Sequence, residues 1–278
     1  MKLYRYWTVD EAELQLPDGS LQKSRIFGHS NESPEDAAAN AAQNRRLIQA
    51  RLAGDPSAGD EWYDTREVVR EEIVRSLNEK NIITRNRYGA LILNSETLVI
   101  VDIDYSKGGF GLSWWQRLLG RKPENPEASA LEFVRKRAAM SDYEELNFRV
   151  YQTRAGLRLI VRGDEKLAMD FKRSLRLMRD FHADDLYAFL CGVQRSYRAR
   201  LTPKPYRIKQ PPIRLEWPRD AAEERVAAEW VTDYEERGNN YAVCHFVEAI
   251  GAAVTAENDP VIAFHDEITG AETDLPLA

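Results

Sequence analysis

The sequence predicts an α+β fold with a central antiparallel or mixed sheet and flanking helices. Strand-like segments come in pairs around short turns, as at 147–151 and 157–161, and such pairs form hairpins rather than parallel β-α-β units. Helical segments with N-terminal capping signals lie between these pairs. The chain has 278 residues, 43% of them hydrophobic, which is enough to bury one large core or two smaller ones.

An N-terminal hairpin and two helices are predicted for residues 1–84. Apolar residues alternate from Leu3, turn at Pro17-Asp18-Gly19 and continue to Phe27, which is typical of a hairpin. A helix is predicted from about Pro34 to Leu52, because Ser33 can cap it and proline suits its first turn. A second helix is predicted at 65–78, where apolar residues recur at helical spacing.

Residues 85–218 form the predicted core, and residues 219–278 form a predicted acidic segment with a helix and strands. The core contains the hairpin described above, together with strands at 88–93 and 97–103 paired as a second hairpin, helices at 125–139, 165–180 and 184–200, and a short strand at 213–217. A further helix is predicted at 221–236.

Composition argues against a membrane-spanning or secreted protein. The longest apolar runs are shorter than the roughly 18 residues that a spanning helix requires. The first residues lack the apolar core of a signal peptide. Cys191 and Cys244 form no CxxC pair, so neither a disulfide framework nor a zinc knuckle is indicated. We therefore expect a cytoplasmic protein without a membrane span.

Charge is distributed unevenly along the chain, whose net charge is −6. Residues 149–214 contain 16 Lys or Arg against 6 Asp or Glu, whereas residues from 215 onward contain 15 acids and 3 bases. The basic stretch predicts a surface that faces a polyanion such as nucleic acid. The alternative is that the basic helices pair with the acidic C-terminal segment.

The most informative motif is the strand Leu98–Val101 followed by Asp102 and Asp104. Side chains two residues apart on a strand point to the same face, so both carboxylates should project together from a buried strand. Two such carboxylates repel each other unless a cation joins them, and a hard divalent ion such as Mg²⁺ suits oxygen ligands. The alternative is that both aspartates simply end the strand.

Two later segments are candidates for phosphate contacts. In the first, Thr153 and Arg158 flank a turn of small residues that would let a ligand approach the backbone. In the second, Arg198 and Arg200 are expected to close a helix, and Lys204 follows in a proline-stiffened segment. The structural alternative for the first segment is an ordinary hairpin with surface arginines. For the second segment, it is a set of cations that interact favourably with the C-terminal end of a helix dipole.

A third carboxylate is a candidate member of the same site. Glu216 lies on the predicted short strand between Leu215 and Trp217, and a buried acid there requires either an arginine or a metal ion. The glycine-rich insertion that contains Trp114 and Trp115 directly follows the aspartates and is expected to cover the site or to bind a partner.

The order of these motifs resembles that of the archaeo-eukaryotic primase superfamily, which includes the primase-polymerases. The resemblance lies in the hydrophobic-D-hydrophobic-D strand Val101–Asp104, a later hairpin with a small-residue turn, and a third acidic strand at Glu216. It covers about residues 85–218. Where the family usually carries a histidine in its second motif, this chain has Arg158 or a neighbour, and its third acid is Glu rather than Asp.

The resemblance implies a primase-like (RRM-like) central sheet and metal-dependent nucleotidyl transfer on nucleic acid. Asp102, Asp104 and Glu216 would be the catalytic carboxylates and would hold Mg²⁺ or Mn²⁺. Nucleoside triphosphates and nucleic acid would be the partners, and their phosphates would contact Thr153, Arg158, Arg198, Arg200 and Lys204. Two alternatives stay open: a non-catalytic nucleic-acid-binding or scaffold protein, and a metal-dependent nuclease or phosphodiesterase.

Overall fold

Three antiparallel sheets organise the part of the chain that the structure describes. The computed structural model describes residues 1–55, 68–108, 110, 115, 124–163, 166–251 and 258–278. One sheet has two strands, and each of the other two has four strands. The chain combines these sheets with helices, so the predicted α+β class is confirmed.

The N-terminal hairpin and first helix are confirmed. Strands β1 (Tyr6–Gln15) and β2 (Leu21–Ser30) pair along their whole length, and helix α1 (Pro34–Leu52) packs on them. Ser33 caps α1 by accepting a hydrogen bond from the backbone of Asp36 at 3.0 Å.

The predicted helix at 65–78 is wrong for the residues that the structure describes. Strand β3 (Glu72–Asn78) occupies that segment and pairs with β4 (Asn81–Arg85). Ile73 and Val74 are β-branched and favour a strand, and the pairing partner lies only a two-residue turn away. Helical spacing over so short a window did not separate the two possibilities.

The predicted hairpin of 88–93 with 97–103 is also wrong. Strand β5 (Leu91–Ser95) pairs with β4 and β9, whereas β6 (Val99–Asp104) pairs with β8 in the other four-stranded sheet. The Ser95 hydroxyl accepts hydrogen bonds from the backbone of Thr97 and Leu98, at 3.1 and 3.0 Å. This local turn sends the chain from one sheet to the next.

The central hairpin is confirmed, and it lies beside the aspartate strand. Strands β7 (Asn147–Thr153) and β8 (Gly156–Arg162) pair, and β8 pairs in turn with β6. The helical turn α2 (Tyr105–Gly108) follows β6. The helix predicted at 125–139 is confirmed as α3 (Pro126–Ala138), and it packs on this sheet. Most of the insertion after the aspartates, Trp114 included, lies outside the described residues, whereas Trp115 is described and exposed.

The two helices that follow are shorter than the predicted ones at 165–180 and 184–200. The second is shorter because its predicted C-terminal residues form a strand. Helices α4 (Phe171–Asp180) and α5 (Asp185–Gln194) are followed by β9 (Tyr197–Arg200). Arg195 adopts a left-handed conformation with φ of 55°, which ends α5 and redirects the chain. Arg198 and Arg200 therefore lie on a strand that pairs with β5, and the prediction that they close a helix is wrong.

The C-terminal segment joins the four-stranded sheet of β6, β7 and β8, which we call the central sheet. A 3₁₀ turn (Pro205–Ile208) precedes helix α6 (Ala221–Gly238), strand β10 (Cys244–Ile250) and helix α7 (Pro260–Thr269). Strand β10 pairs with β7, so residues beyond 218 complete the sheet that carries the aspartates. The predicted strand at 213–217 is absent from these described residues, although the Leu215 amide donates to the carbonyl of Arg87 at 2.8 Å.

Basic and acidic parts of the sequence meet in this arrangement. Arg149 pairs with Asp266, and Arg162 pairs with Asp259, at 2.6 and 2.9 Å. Both arginines lie on strands, β7 and β8, so these pairs join the central hairpin, rather than the basic helices of the stated alternative, to the acidic segment. Within the described ranges, none of the helices combines the length and the hydropathy needed to span a bilayer.

Gly156 fixes the contact between β8 and the end of β6. A Cβ atom at this position would lie 1.8 Å from the carbonyl oxygen of Ile103. We expect Gly156→Ala to lower the free energy of unfolding by about 1–3 kcal/mol or more, because the two strands must separate to admit the methyl group. Denaturant unfolding monitored by circular dichroism measures this change.

Gly238→Ala is the matched control. The added Cβ at the end of α6 would have only an ordinary contact, 3.8 Å from Pro203. This variant is expected to be neutral or slightly stabilising, since alanine favours a helix over glycine. Equal unfolding free energies for the two variants would contradict the proposed close approach at Gly156.

Candidate functional site

Asp102 and Asp104 meet a group of cations at one end of the central sheet. In the β6–β8 register Asp102 lies opposite Arg158, and Asp104 lies opposite Gly156. A cavity of about 190 Å³ opens at this point, which we call the charged cavity. Its ionisable lining residues are Asp102, Asp104, Asp184, Arg158, Arg200, Lys204 and Arg207.

The first feature of the charged cavity is a two-pronged ion pair between Asp102 and Arg158. Arg158 donates from Nε to Asp102 Oδ1 at 2.8 Å and from Nη2 to Oδ2 at 3.3 Å. The guanidinium is buried, whereas the Asp102 side chain is 45% exposed, so part of the carboxylate remains open to the cavity. Burial acts to lower the pKa of Arg158, but the Asp102 carboxylate outweighs it and raises that pKa, so the arginine is a permanent cation.

A buried polar network holds Arg158 from behind. Arg158 Nη1 donates to the carbonyl of Arg200 at 2.9 Å and lies 3.4 Å from Nε2 of His265. Nδ1 of His265 lies 2.9 Å from the Asp266 carboxylate, which also accepts hydrogen bonds from Arg149 and Tyr151 at 2.6 and 2.7 Å.

Burial lowers the pKa of His265, which favours a neutral ring. A neutral ring that donates from Nδ1 to Asp266 presents Nε2 to Arg158 as an acceptor. The network therefore orients Arg158, and through Arg158 it orients Asp102.

Arg200 and Lys204 supply positive charge that the described residues leave without a direct partner. In the described part of the chain, neither side chain has a hydrogen bond or an ion pair. Burial lowers the pKa of Arg200, and the charge of Arg158 lowers it further. Burial and the charge of Arg200 likewise lower the pKa of Lys204. A bound anion would relieve this repulsion.

Asp104, Thr153 and Arg207 also line the charged cavity, and each of their side chains forms at least one hydrogen bond. Asp104 accepts hydrogen bonds from the backbone and hydroxyl of Ser106 through one oxygen, at 2.8 and 2.7 Å. Among the residues that the structure describes, none donates to its other oxygen. The hydroxyl of Thr153 donates to the carbonyl of Gly156 at 3.1 Å. Arg207 donates to the backbone oxygen of Ala278 at 2.9 Å.

The two aspartates fit one mode of Mg²⁺ binding. Magnesium is commonly held by one or two carboxylates with the remaining ligands supplied by water and substrate phosphates. Asp102 and Asp104 offer that number of carboxylates beside a cationic wall. The described residues do not offer a metal site built from protein ligands alone, since they contain no group of three or more His, Cys, Asp or Glu side chains placed to hold an ion.

The structure does not bring Glu216 to the aspartates, which corrects the expectation of a third metal-binding carboxylate. Glu216 accepts hydrogen bonds from Arg70 at 3.2 Å and from Arg214 at 2.7 Å, and it does not line the charged cavity. The segment that contains Glu216 lies beside the loop at Arg87, since the amide of Leu215 donates a hydrogen bond to the carbonyl of Arg87. The sequence alternative, an acid satisfied by arginine, is the observed one.

Arg198 is also outside the charged cavity, which corrects its assignment as a phosphate contact. Its guanidinium donates to Glu71 at 2.5 Å. Of the other predicted phosphate contacts, Thr153, Arg200 and Lys204 line the cavity, whereas Arg158 lines it but is committed to Asp102.

Sequence reasoning missed the supporting network. His265 and Asp266 lie more than 100 residues from Arg158 along the chain, in the acidic C-terminal segment. The pairing of β10 with β7 helps to bring that segment to the site. The adjacent His-Asp pair inside an apolar helical stretch was the available signal, because buried polar residues usually have polar partners.

Comparisons of this chain with protein-family models, with curated proteins and with solved structures each give no match. The resemblance to primases therefore rests on the order of motifs in the sequence and stays a prediction.

Proposed function

We propose that this protein binds nucleoside triphosphates in the charged cavity and transfers nucleotidyl groups to nucleic acid, as a primase-polymerase-type nucleotidyltransferase. The observation that carries the proposal is the juxtaposition of two open carboxylate edges, at Asp102 and Asp104, with the cations Arg200 and Lys204 in one cavity. Carboxylates alone would repel a triphosphate and cations alone would bind any polyanion. The combination favours a phosphate chain that carries a divalent ion.

Each side of the cavity has a separate role in this proposal. Arg200 and Lys204 bind the phosphate oxygens and stabilise the charge that develops on the leaving pyrophosphate. Asp102, fixed by Arg158, and Asp104 would hold Mg²⁺ or Mn²⁺ together with phosphate oxygens of the substrate. When bound, such an ion supplies Lewis-acid stabilisation of the phosphoryl oxygens.

The proposed transfer is a substitution at the α-phosphorus. A hydroxyl oxygen of a nucleic-acid end or of a second nucleotide forms a bond to that phosphorus and loses its proton to water. The bond from the α-phosphorus to the bridging oxygen breaks, and pyrophosphate leaves. No net oxidation or reduction takes place.

A second candidate function, phosphate-dependent binding of nucleic acid without catalysis, is favoured by one observation. The two-pronged contact with Arg158 gives Asp102 a complete structural partner. In that case the aspartates would only terminate the sheet, and Arg200 and Lys204 would contact backbone phosphates. A nuclease would use the same acids but would shorten a nucleic acid in the absence of nucleotides.

Incorporation of labelled nucleotide on a primed or unprimed DNA template, with Mn²⁺ or Mg²⁺, tests the proposal. We expect Asp104→Asn to lower the incorporation rate at least about 100-fold, because a carboxylate that binds the ion is lost. Asp104 is preferred to Asp102 for this test, since removal of Asp102 would leave the buried Arg158 guanidinium without its carboxylate.

Asp142→Asn provides the control for this substitution. Asp142 forms an exposed ion pair with Arg176 and does not line the charged cavity, so the activity should stay unchanged. Binding of nucleic acid without incorporation by the wild-type protein would overturn the transferase proposal in favour of the non-catalytic candidate, and shortened products would favour the nuclease.

The pH dependence of anion binding should report on Lys204. Its pKa lies below 10.5, so the ammonium loses its proton, and its attraction for an anion, at a lower pH than an ordinary lysine. The affinity for inorganic tripolyphosphate should therefore fall as the pH rises through this lowered pKa. In the described ranges, the ionisable groups that act on Lys204 are Arg200, Arg207, Tyr206 and Asp102.

Lys204→Arg separates this effect from titration of the ligand. Arginine keeps its charge throughout this pH range, so the variant should lose the part of the pH dependence that comes from Lys204. Isothermal titration calorimetry at a series of pH values measures both proteins. Identical pH profiles would show that Lys204 does not contact the anion.

A further inference from the structure

A second cavity adjoins the charged cavity and differs from it in chemistry. It has a volume of about 460 Å³, within the roughly 300–1,000 Å³ range of ligand sites, and it shares Arg200 and Lys204 with the charged cavity. We call it the tyrosine cavity. Its remaining lining is mainly aromatic and apolar: Tyr88, Tyr206, Ala90, Pro205, Pro212 and Ile213.

Two tyrosines in this cavity are unusually exposed for their size. Tyr206 is 70% exposed and Tyr88 is 51% exposed, although both carry large apolar rings. Tyr206 belongs to the 3₁₀ turn directly after Lys204, and Pro205 fixes the backbone between them. The backbone that carries the ring is therefore fixed directly beside Lys204. Exposed rings beside cations are the usual platform for stacking of nucleobases.

We propose that the tyrosine cavity is the nucleobase subsite for a nucleotide whose phosphates occupy the charged cavity. Tyr206 stacks on the base. Arg200 and Lys204 lie at the junction, where the sugar-proximal phosphate would pass. This assignment rests on the proposed function, because it takes the phosphate end of the ligand from it. It adds the place where the base of that nucleotide binds.

Calorimetry with α,β-methylene analogues of ATP and CTP, compared with inorganic tripolyphosphate, tests the assignment. The analogues cannot undergo the transfer, so the measurement reports binding alone. We expect the analogues to bind at least about tenfold more tightly than tripolyphosphate. Tyr206→Ala should abolish this difference and leave the tripolyphosphate affinity unchanged, and Tyr206→Phe should preserve most of it, since the ring remains.

Phe189→Ala serves as the matched control, because Phe189 is an exposed aromatic residue on α5 that lines neither cavity. Its analogue affinity should equal that of the wild type. Equal affinities of the wild type for the analogues and for tripolyphosphate would overturn the nucleobase subsite, as would an equal loss of both affinities in Tyr206→Ala.

The outcomes also separate this assignment from the proposed function. Tripolyphosphate binding without any contribution from the base would overturn the subsite and leave the phosphate contacts in place. Tight, Tyr206-dependent binding of the analogues without nucleotide incorporation would support the subsite and overturn the transferase. Failure of every ligand to bind would overturn both.

Discussion

The ion pair between Arg158 and Asp102 across strands β8 and β6 is the interaction on which the site depends. It joins a buried guanidinium to a carboxylate that is open to the charged cavity. A buried arginine is tolerated only when its hydrogen bonds are satisfied, and Arg158 meets this condition through Asp102 and the carbonyl of Arg200, with the ring of His265 nearby. The same contacts fix the position of Asp102. Arg158 therefore satisfies the hydrogen bonds of the core and positions a carboxylate of the site.

This arrangement explains why the charged cavity combines two signs of charge. Asp102 and Asp104 project from one side, and Arg200 and Lys204 supply cations whose pKa values are lowered by burial and by neighbouring positive charge. Such cations gain most from an anion, and such carboxylates gain most from a cation. A phosphate chain with a divalent ion satisfies both needs at once. The adjoining tyrosine cavity extends the same surface toward an aromatic group.

The sequence predicted the local parts of this structure better than their assembly. The strand that ends in the aspartates, the hairpin predicted at 147–151 and 157–161, and the capped helices predicted at 34–52 and 125–139 depend on neighbouring residues and were placed correctly. Glu216 and Arg198 were misplaced because their partners, Arg70 and Glu71, come from a strand-containing segment that was predicted as helix. His265 and Asp266 were missed since their role arises from contacts across more than 100 residues. Residue spacing carries no information on such long-range pairing.

The central claim is that the aspartates and the cations act on one ligand, and thermodynamic coupling between a triphosphate and Mn²⁺ tests it most directly. Calorimetry with a nonhydrolysable nucleoside triphosphate, with and without Mn²⁺, gives the coupling for the wild type and for Asp104→Asn. We predict that Mn²⁺ strengthens binding to the wild type and that Asp104→Asn loses most of this gain, while its affinity without Mn²⁺ does not fall. An equal effect of Mn²⁺ on the two proteins would contradict the account.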